Sequence, residues 1–231
     1  MKNDILQKDL KSFLSIYSKF KKVNIPRKKI IILRGQIDVC DVKGNYFKTF
    51  DLDIIINKYS YPYTIPEVKE RSKFIERNQE WHINNEGFCC LDIDHKLIKM
   101  SQRGIHIGTF YRDVIYPFFC NTVFKQLYNN YANGEYPHEF EGVQSFYKNE
   151  LNLNNPELIL KVLRSIKTGK TPGRNQLCVC ENDKYKNCKK HFESIEFLKN
   201  LPTQRILVDL KYFEEKLLGH PNNIGKAVRI L

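Results

Sequence analysis

From Asp4 to about Lys22, apolar residues recur at three- and four-residue steps, placing Ile5, Leu6, Leu10, Phe13, Leu14, Tyr17 and Phe20 on one side. That period predicts an amphipathic helix with a single buried face. Pro26 ends the pattern, and Ile30 to Cys40 follows with a β-branched run and late alternation, which reads as a strand. After a turn over Asp41-Val42-Lys43-Gly44-Asn45, the stretch from Tyr46 to Asn57 sets Phe50, Leu52, Ile54 and Ile56 against Asp51, Asp53 and Ile55. Strict alternation of this kind marks a strand with one face buried, and the two strands make a meander. Pro62 and Pro66 then impose an extended connection that cannot lie in a central strand, with a further short strand fitting Pro66 to Glu70.

Helical spacing returns from Thr109 to Asn130, where Phe110, Val114, Ile115, Phe118, Phe119, Val123, Phe124, Leu127 and Tyr128 form a dense apolar pattern interrupted at Pro117. Such a density of aromatics reads as core. Asn133-Gly134-Glu135-Tyr136-Pro137-His138 breaks it, a short helix fits Gly142 to Leu151, and an Asn-rich link follows. From Phe192 onward, Phe197, Leu198, Leu201, Ile206, Leu207, Leu210, Phe213, Leu217 and Leu218 predict one or two helices ending at Gly219-His220-Pro221. The expected class is α+β, with a main domain over 1–152, a linker or helix over 153–172 and a small module over 173–231.

Composition narrows this picture. With 231 residues, 42% hydrophobic and 13% aromatic, the chain can bury a full core and carry an appendage. No apolar run approaches the roughly 20 residues that span a bilayer, and Met1-Lys2-Asn3-Asp4 leads into the amphipathic segment instead of a signal peptide, so a cytoplasmic protein with no membrane partner is expected. Seven cysteines, an odd number that includes a C-x-C, suit reduced thiols, metal ligation or catalysis better than a secreted disulfide framework. The net charge of +12 attracts nucleic acid or an acidic protein. Yet the runs Lys19-Phe20-Lys21-Lys22 and Arg27-Lys28-Lys29 carry no interleaved aromatic stripe, which makes nucleic acid the less favoured partner.

Candidate chemistry is concentrated in Trp81 to His95, where Gly87-Phe88-Cys89-Cys90-Leu91-Asp92 follows the turn Asn84-Asn85-Glu86-Gly87. In an extended segment successive side chains point to opposite faces, so one of Cys89 and Cys90 is core and the other exposed. Neighbouring cysteines are also too strained to pair with each other. A thiolate holds an acyl group as a thioester energetic enough to pass on to an amine, and a nearby His or cationic surface favours the thiolate. Asp92 and Asp94 stand where they could orient an incoming amine, or simply be solvated.

A second constellation lies in Gly173-Arg174-Asn175-Gln176-Leu177-Cys178-Val179-Cys180, continued by Lys184-Tyr185-Lys186-Asn187-Cys188 and His191. Three cysteines and one histidine within fourteen residues supply the donor set of a tetrahedral structural Zn2+ site. With all four positions filled by protein, such an ion is structural, not catalytic.

Taken in order, the helix, the strand meander, Tyr61-Pro62 with Pro66, and then His82, Gly87, Cys90 and Leu91 resemble the ubiquitin-conjugating (UBC-like) fold over roughly residues 1 to 150. That family carries a His-Pro-Asn tripeptide and a G-x-x-C-L stretch around its thioester-forming cysteine. The resemblance implies Cys90, not Cys89, as the nucleophile. It sets His82-Ile83-Asn84 at the tripeptide, with Asn84 in the oxyanion role, although Ile83 replaces Pro and the interval to Cys90 is about two residues shorter than usual. It is closer to the divergent bacterial UBC-like proteins of antiphage (CBASS-type) operons, which act on the C-terminus of a partner and often use a His near the cysteine. His82 is the first choice for that His, with His95 and His106 behind it.

The C-terminal module resembles the SEC-C motif, with a Cys180 to Cys188 loop one residue short and His191 three after Cys188 instead of adjacent. Together the resemblances imply a cysteine-dependent acyl transferase carrying a partner's C-terminus, a ubiquitin-like protein or a cGAS-like nucleotidyltransferase, as a Cys90 thioester, with or without a separate activating enzyme. They imply no small-molecule cofactor beyond Zn2+. One alternative is a non-catalytic UBC-like scaffold whose basic zinc module, with Lys184, Lys186, Lys189 and Lys190, recruits protein or nucleic acid. A third is a nucleic-acid-binding zinc protein with no transfer role.

Overall fold

The structure, a computed structural model, describes residues 2–25, 29–132, 140–189 and 191–217 and divides into two compact units, Met1–Tyr136 and Pro137–Leu231. The first unit begins with α1 (Lys2–Ile16), then β1 (Lys21–Asn24), β2 (Ile30–Cys40), β3 (Tyr46–Asn57) and β4 (Glu67–Glu70). These strands form one antiparallel sheet in sequence order, with Leu33 opposite Ile54 and Ile54 opposite Val68. β2 and β3 match their expected bounds. The helix expected to reach Lys22 ends at Ile16 instead, because Lys21–Asn24 pairs with Arg34–Ile31 as an edge strand, a tertiary pairing the local helical period does not encode.

The inner face of the sheet is apolar: Leu33, Phe50, Leu52 and Ile54 are completely enclosed, and Leu6, Leu10 and Phe13 of α1 join the same core. On the outer face Asp53 sits 6% exposed because Arg34 forks onto both of its carboxylate oxygens, at 2.7 and 2.9 Å. The helical layer follows as α2 (Asp94–Arg103), α3 (Ile107–Phe110), a π-helical turn (Tyr111–Ile115) and α4 (Tyr116–Tyr128). Phe119 packs on Phe50 at 5.0 Å between ring centroids. Pro117 does not break the run. It stands in the first turn of α4, where its missing N–H needs no partner, and the irregularity appears as the π turn just ahead of it.

In the second unit, α5 (Phe140–Asn149) and α6 (Pro156–Lys167) precede the Cys/His segment in the chain, and α7 (Phe192–Lys199) and α8 (Thr203–Leu217) follow it. The divide between units lies ahead of the expected 152/153 boundary, since α5 buries Phe146 against Phe197 and Tyr147 against Phe213. The segment expected as linker or helix is a capped helix, with the Asn155 side chain accepting from the Glu157 N–H at 2.8 Å. It buries Ile159, Leu160, Val162 and Leu163 and joins α8 through Arg164 and Glu214. The stop expected at Gly219-His220-Pro221 and the break over 133–138 lie outside the described residues. Among the described residues no helix is long and apolar enough to cross a membrane.

Candidate functional site

The cysteine loop is an irregular addition to the β4 edge of the sheet. Phe88 bridges Lys69 of β4, and Ile83 bridges Cys89, so residues 84–88 close a small hairpin. The Asn84 side-chain oxygen accepts from the Glu86 and Phe88 N–H groups at 3.1 and 2.8 Å, while its carbonyl accepts from Gly87 N–H at 2.9 Å. Asn84 is therefore the turn-former of this hairpin: these bonds use the acceptor oxygen of its carboxamide, whereas the oxyanion role that the resemblance implies would use the donor N–H groups of the same carboxamide. The alternation expected of the cysteines is present. Cys90 is exposed, whereas the Cys89 sulfur faces inward, its N–H bonded to the Val68 carbonyl at 2.8 Å and its thiol pushed up to about 12 by burial.

His82 sits directly across the hairpin, its carbonyl accepting the Cys90 N–H at 2.7 Å, and its backbone adopts φ +53, unusual for a residue with a side chain. The other two histidines are placed elsewhere. His95 is wholly buried in α2, and His106 Nδ1 lies 3.0 Å from Asp9 of α1, whose carboxylate also takes the Tyr61 hydroxyl. Asp92 Oδ1 accepts its successor's N–H at 2.7 Å, and Asp94 opens α2.

A buried ion pair under the loop has no signal in the sequence. Glu70, with its side chain fully enclosed, meets Arg77 Nη2 at 2.5 Å, and the same guanidinium donates to the Glu70 carbonyl at 3.0 Å. The Glu70 N–H donates to the Gly87 carbonyl at 2.9 Å, so the pair props the cysteine hairpin from below. Gly87 itself has φ +93, and a Cβ there would meet the Glu70 carbonyl oxygen at 2.7 Å. Both the left-handed backbone and the backbone contact oppose a side chain. Gly87→Ala is expected to cost about 2–3 kcal/mol, measured by urea unfolding; a loss below about 0.5 kcal/mol would show that the hairpin bends freely.

In the second unit Leu177 bridges Lys184, a 3₁₀ turn spans Tyr185–Asn187, and His191 caps α7, which brings all four sequence-predicted ligands together. The sulfurs of Cys178, Cys180 and Cys188 and one ring nitrogen of His191 all lie within 4.8 Å of one another. Cys180 Sγ to Cys188 Sγ is 3.8 Å, and His191 Nδ1 is 3.7 and 3.5 Å from Cys178 and Cys188. Metal–sulfur bonds of about 2.3 Å and metal–nitrogen bonds of about 2.0 Å at tetrahedral angles span edges of about 3.8 and 3.5 Å, so these four groups fit one small cation. Cys178, Cys188 and His191 are buried, and burial pushes the Cys178 thiol up to about 12, the opposite of what a bound cation would do to it. The set can hold a metal ion.

No protein-family model, no curated protein and no solved structure matches this chain.

Proposed function

We propose that the protein is a ubiquitin-conjugating-enzyme-like acyl transferase that carries the C-terminal acyl group of a partner protein as a thioester on Cys90. The observation that carries this reading is the inequality of the two thiols: Cys90 is exposed on a hairpin at a sheet edge, while Cys89 is turned inward and held neutral. Support comes also from the order of helix, four-stranded meander, cysteine hairpin and helices, which is the order the UBC-like resemblance implies. An exposed edge suits a substrate that is itself a protein tail.

In the reaction the Cys90 thiolate attacks the carbonyl of an activated acyl donor, such as a thioester on a separate activating protein. The donor's thiolate leaves as the Cys90 thioester forms. An amine then attacks that carbonyl, the C–S bond breaks, the nitrogen gives up one proton to solvent, and the Cys90 thiolate is regenerated. His82, whose backbone carbonyl takes the Cys90 N–H across the hairpin and whose ring stands beside Tyr131, is the residue assigned to favour the thiolate. Cys178, Cys180, Cys188 and His191 would hold a zinc ion that supplies structural cross-linking only. The setting assigned to this chemistry is bacterial antiphage defence in the cytoplasm, with a cGAS-like nucleotidyltransferase or a ubiquitin-like protein as the partner.

A second reading, a recruiting scaffold without transfer, draws on a groove of about 650 Å³ beside the Cys/His segment, lined in part by Arg174, Tyr185, Lys186, Phe192 and Lys199. The deciding experiment is intact-mass analysis of the protein purified after co-expression with the genes flanking its own. Transfer predicts an added mass that thiol reagents release; a chain that never carries one, with its flanking partners present and folded, supports the scaffold.

A further inference from the structure

Behind the Cys90 hairpin lies a buried cation that the transfer chemistry does not use. Lys125 of α4 is 5% exposed, and its Nζ stands 4.6 Å from the ring centroids of both Trp81 and Tyr131. The same ammonium donates to the Glu80 carbonyl at 3.0 Å and meets the Glu80 carboxylate at 3.1 Å. Tyr131 adds its own hydroxyl to that carbonyl at 2.9 Å. A lysine desolvated to this degree needs its protons and its charge satisfied, and here two aromatic faces, a carbonyl and a carboxylate do so together. All of these groups except Tyr131 belong to the two residues immediately before His82.

His82 is the residue with a reason to be held. Its φ of +53 is a conformation that costs a residue with a side chain about 1–3 kcal/mol, and such strain persists only where the surroundings over-determine it. On its N-terminal side the chain is gripped through Glu80 and Trp81. On its C-terminal side its carbonyl takes the Cys90 N–H at 2.7 Å, and its ring faces Tyr131 at 6.0 Å between centroids. Released from the grip, His82 would relax to negative φ and its carbonyl would rotate away from Cys90.

We propose that Lys125, caged by Trp81 and Tyr131, is a positioning residue for the thiol: it clamps His82 in its left-handed conformation and thereby fixes the Cys90 hairpin. The inference rests on the reading that Cys90 is the working thiol.

Trp81 is the one tryptophan of the chain, so its emission reports the cage directly. The test uses the full-length, metal-loaded protein and follows iodoacetamide alkylation of Cys90 by peptide mass from about pH 6 to about pH 10 in wild type, Lys125→Met, Lys125→Arg and Tyr131→Phe, at a temperature where each is folded. Lys125→Met is expected to shift Trp81 emission, slow Cys90 alkylation about fivefold at neutral pH and move the midpoint of its pH profile upward, with Lys125→Arg recovering most of the rate. Tyr131→Phe, which keeps the aromatic face but removes the hydroxyl that donates to the Glu80 carbonyl and accepts from Lys125 Nζ at 3.5 Å, is expected to move rate and midpoint in the same direction by about twofold and carries the test if Lys125→Met fails to fold. A shifted Trp81 emission with an unchanged or faster Cys90 profile overturns the proposal. Failure of the transfer reading looks different: the cage then governs Cys90 alkylation as stated, but no acyl adduct is ever found.

Discussion

Stripping the metal, or replacing Cys178 by Ser, is expected to open the 173–191 segment and lower the melting temperature of the Pro137–Leu231 unit by more than about 10 °C, leaving Met1–Tyr136 folded. The segment has little else to hold it. It is a short bridge, one 3₁₀ turn and the start of α7, and its interior is largely Cys178, Val179, Tyr185, Cys188 and His191. Two buried thiols, a half-buried third and a buried imidazole without a cation are a poor core, whereas a structural zinc contributes about 10–16 kcal/mol to small modules of this kind, comparable with the whole stability of a domain. The sign with pH follows from the ligands: they bind as thiolates, so protons compete with the ion and acidification releases it. Elemental analysis should give one ion per chain, and hydrogen exchange should show loss of protection confined to the second unit. Metal-free protein with unchanged melting and unchanged exchange would refute the assignment.

Cys90→Ala is expected to abolish the thiol-labile adduct completely while changing stability by less than about 0.5 kcal/mol, since the side chain it removes is exposed. Cys89→Ala is expected to do the reverse, keeping the adduct and costing about 1 kcal/mol for a cavity at an inward-facing position. The pH behaviour separates the two thiols further. With its pKa raised to about 12 in the folded chain, Cys89 favours folding below the ordinary thiol range, and this contribution is lost as pH rises toward 12. Stability of the wild type should therefore fall on alkalinisation through that window, and less so in Cys89→Ala. At about pH 8 alkylation of native protein should mark Cys90 and spare Cys89, both reacting only after denaturation. Equal labelling of the two in the native state would remove the distinction on which the transfer reading stands.

The parts of both sites that were legible beforehand share one property: their partners are close in the chain. Cys178, Cys180, Cys188 and His191 lie within fourteen residues, so the chain between them is short enough to bring them into one cluster that could hold a metal ion. The opposed orientation of Cys89 and Cys90 follows from the two-residue period of extended chain. The turn made by Asn84 is local in the same way: in a short Asn-Asn-Glu-Gly turn its side-chain oxygen has two N–H donors within four residues. β1 has no local signal of its own, because its pairing with β2 competes with a helical period that continues through Phe20.

Periodicity and spacing along the chain thus suffice for the α+β class, the bounds of β2 and β3 and the four-ligand cluster, all of which rest on neighbours a few residues apart or on alternation with a fixed period. Which sulfur faces out, which charges lie beneath it and what grips His82 depend on groups brought from afar: Lys125 reaches Glu80 across 45 positions, and Glu70 supports Gly87 from another strand. Burying a lysine or a glutamate is unfavourable until its distant partner arrives, so those contacts exist only in the folded chain and leave no trace in any local pattern.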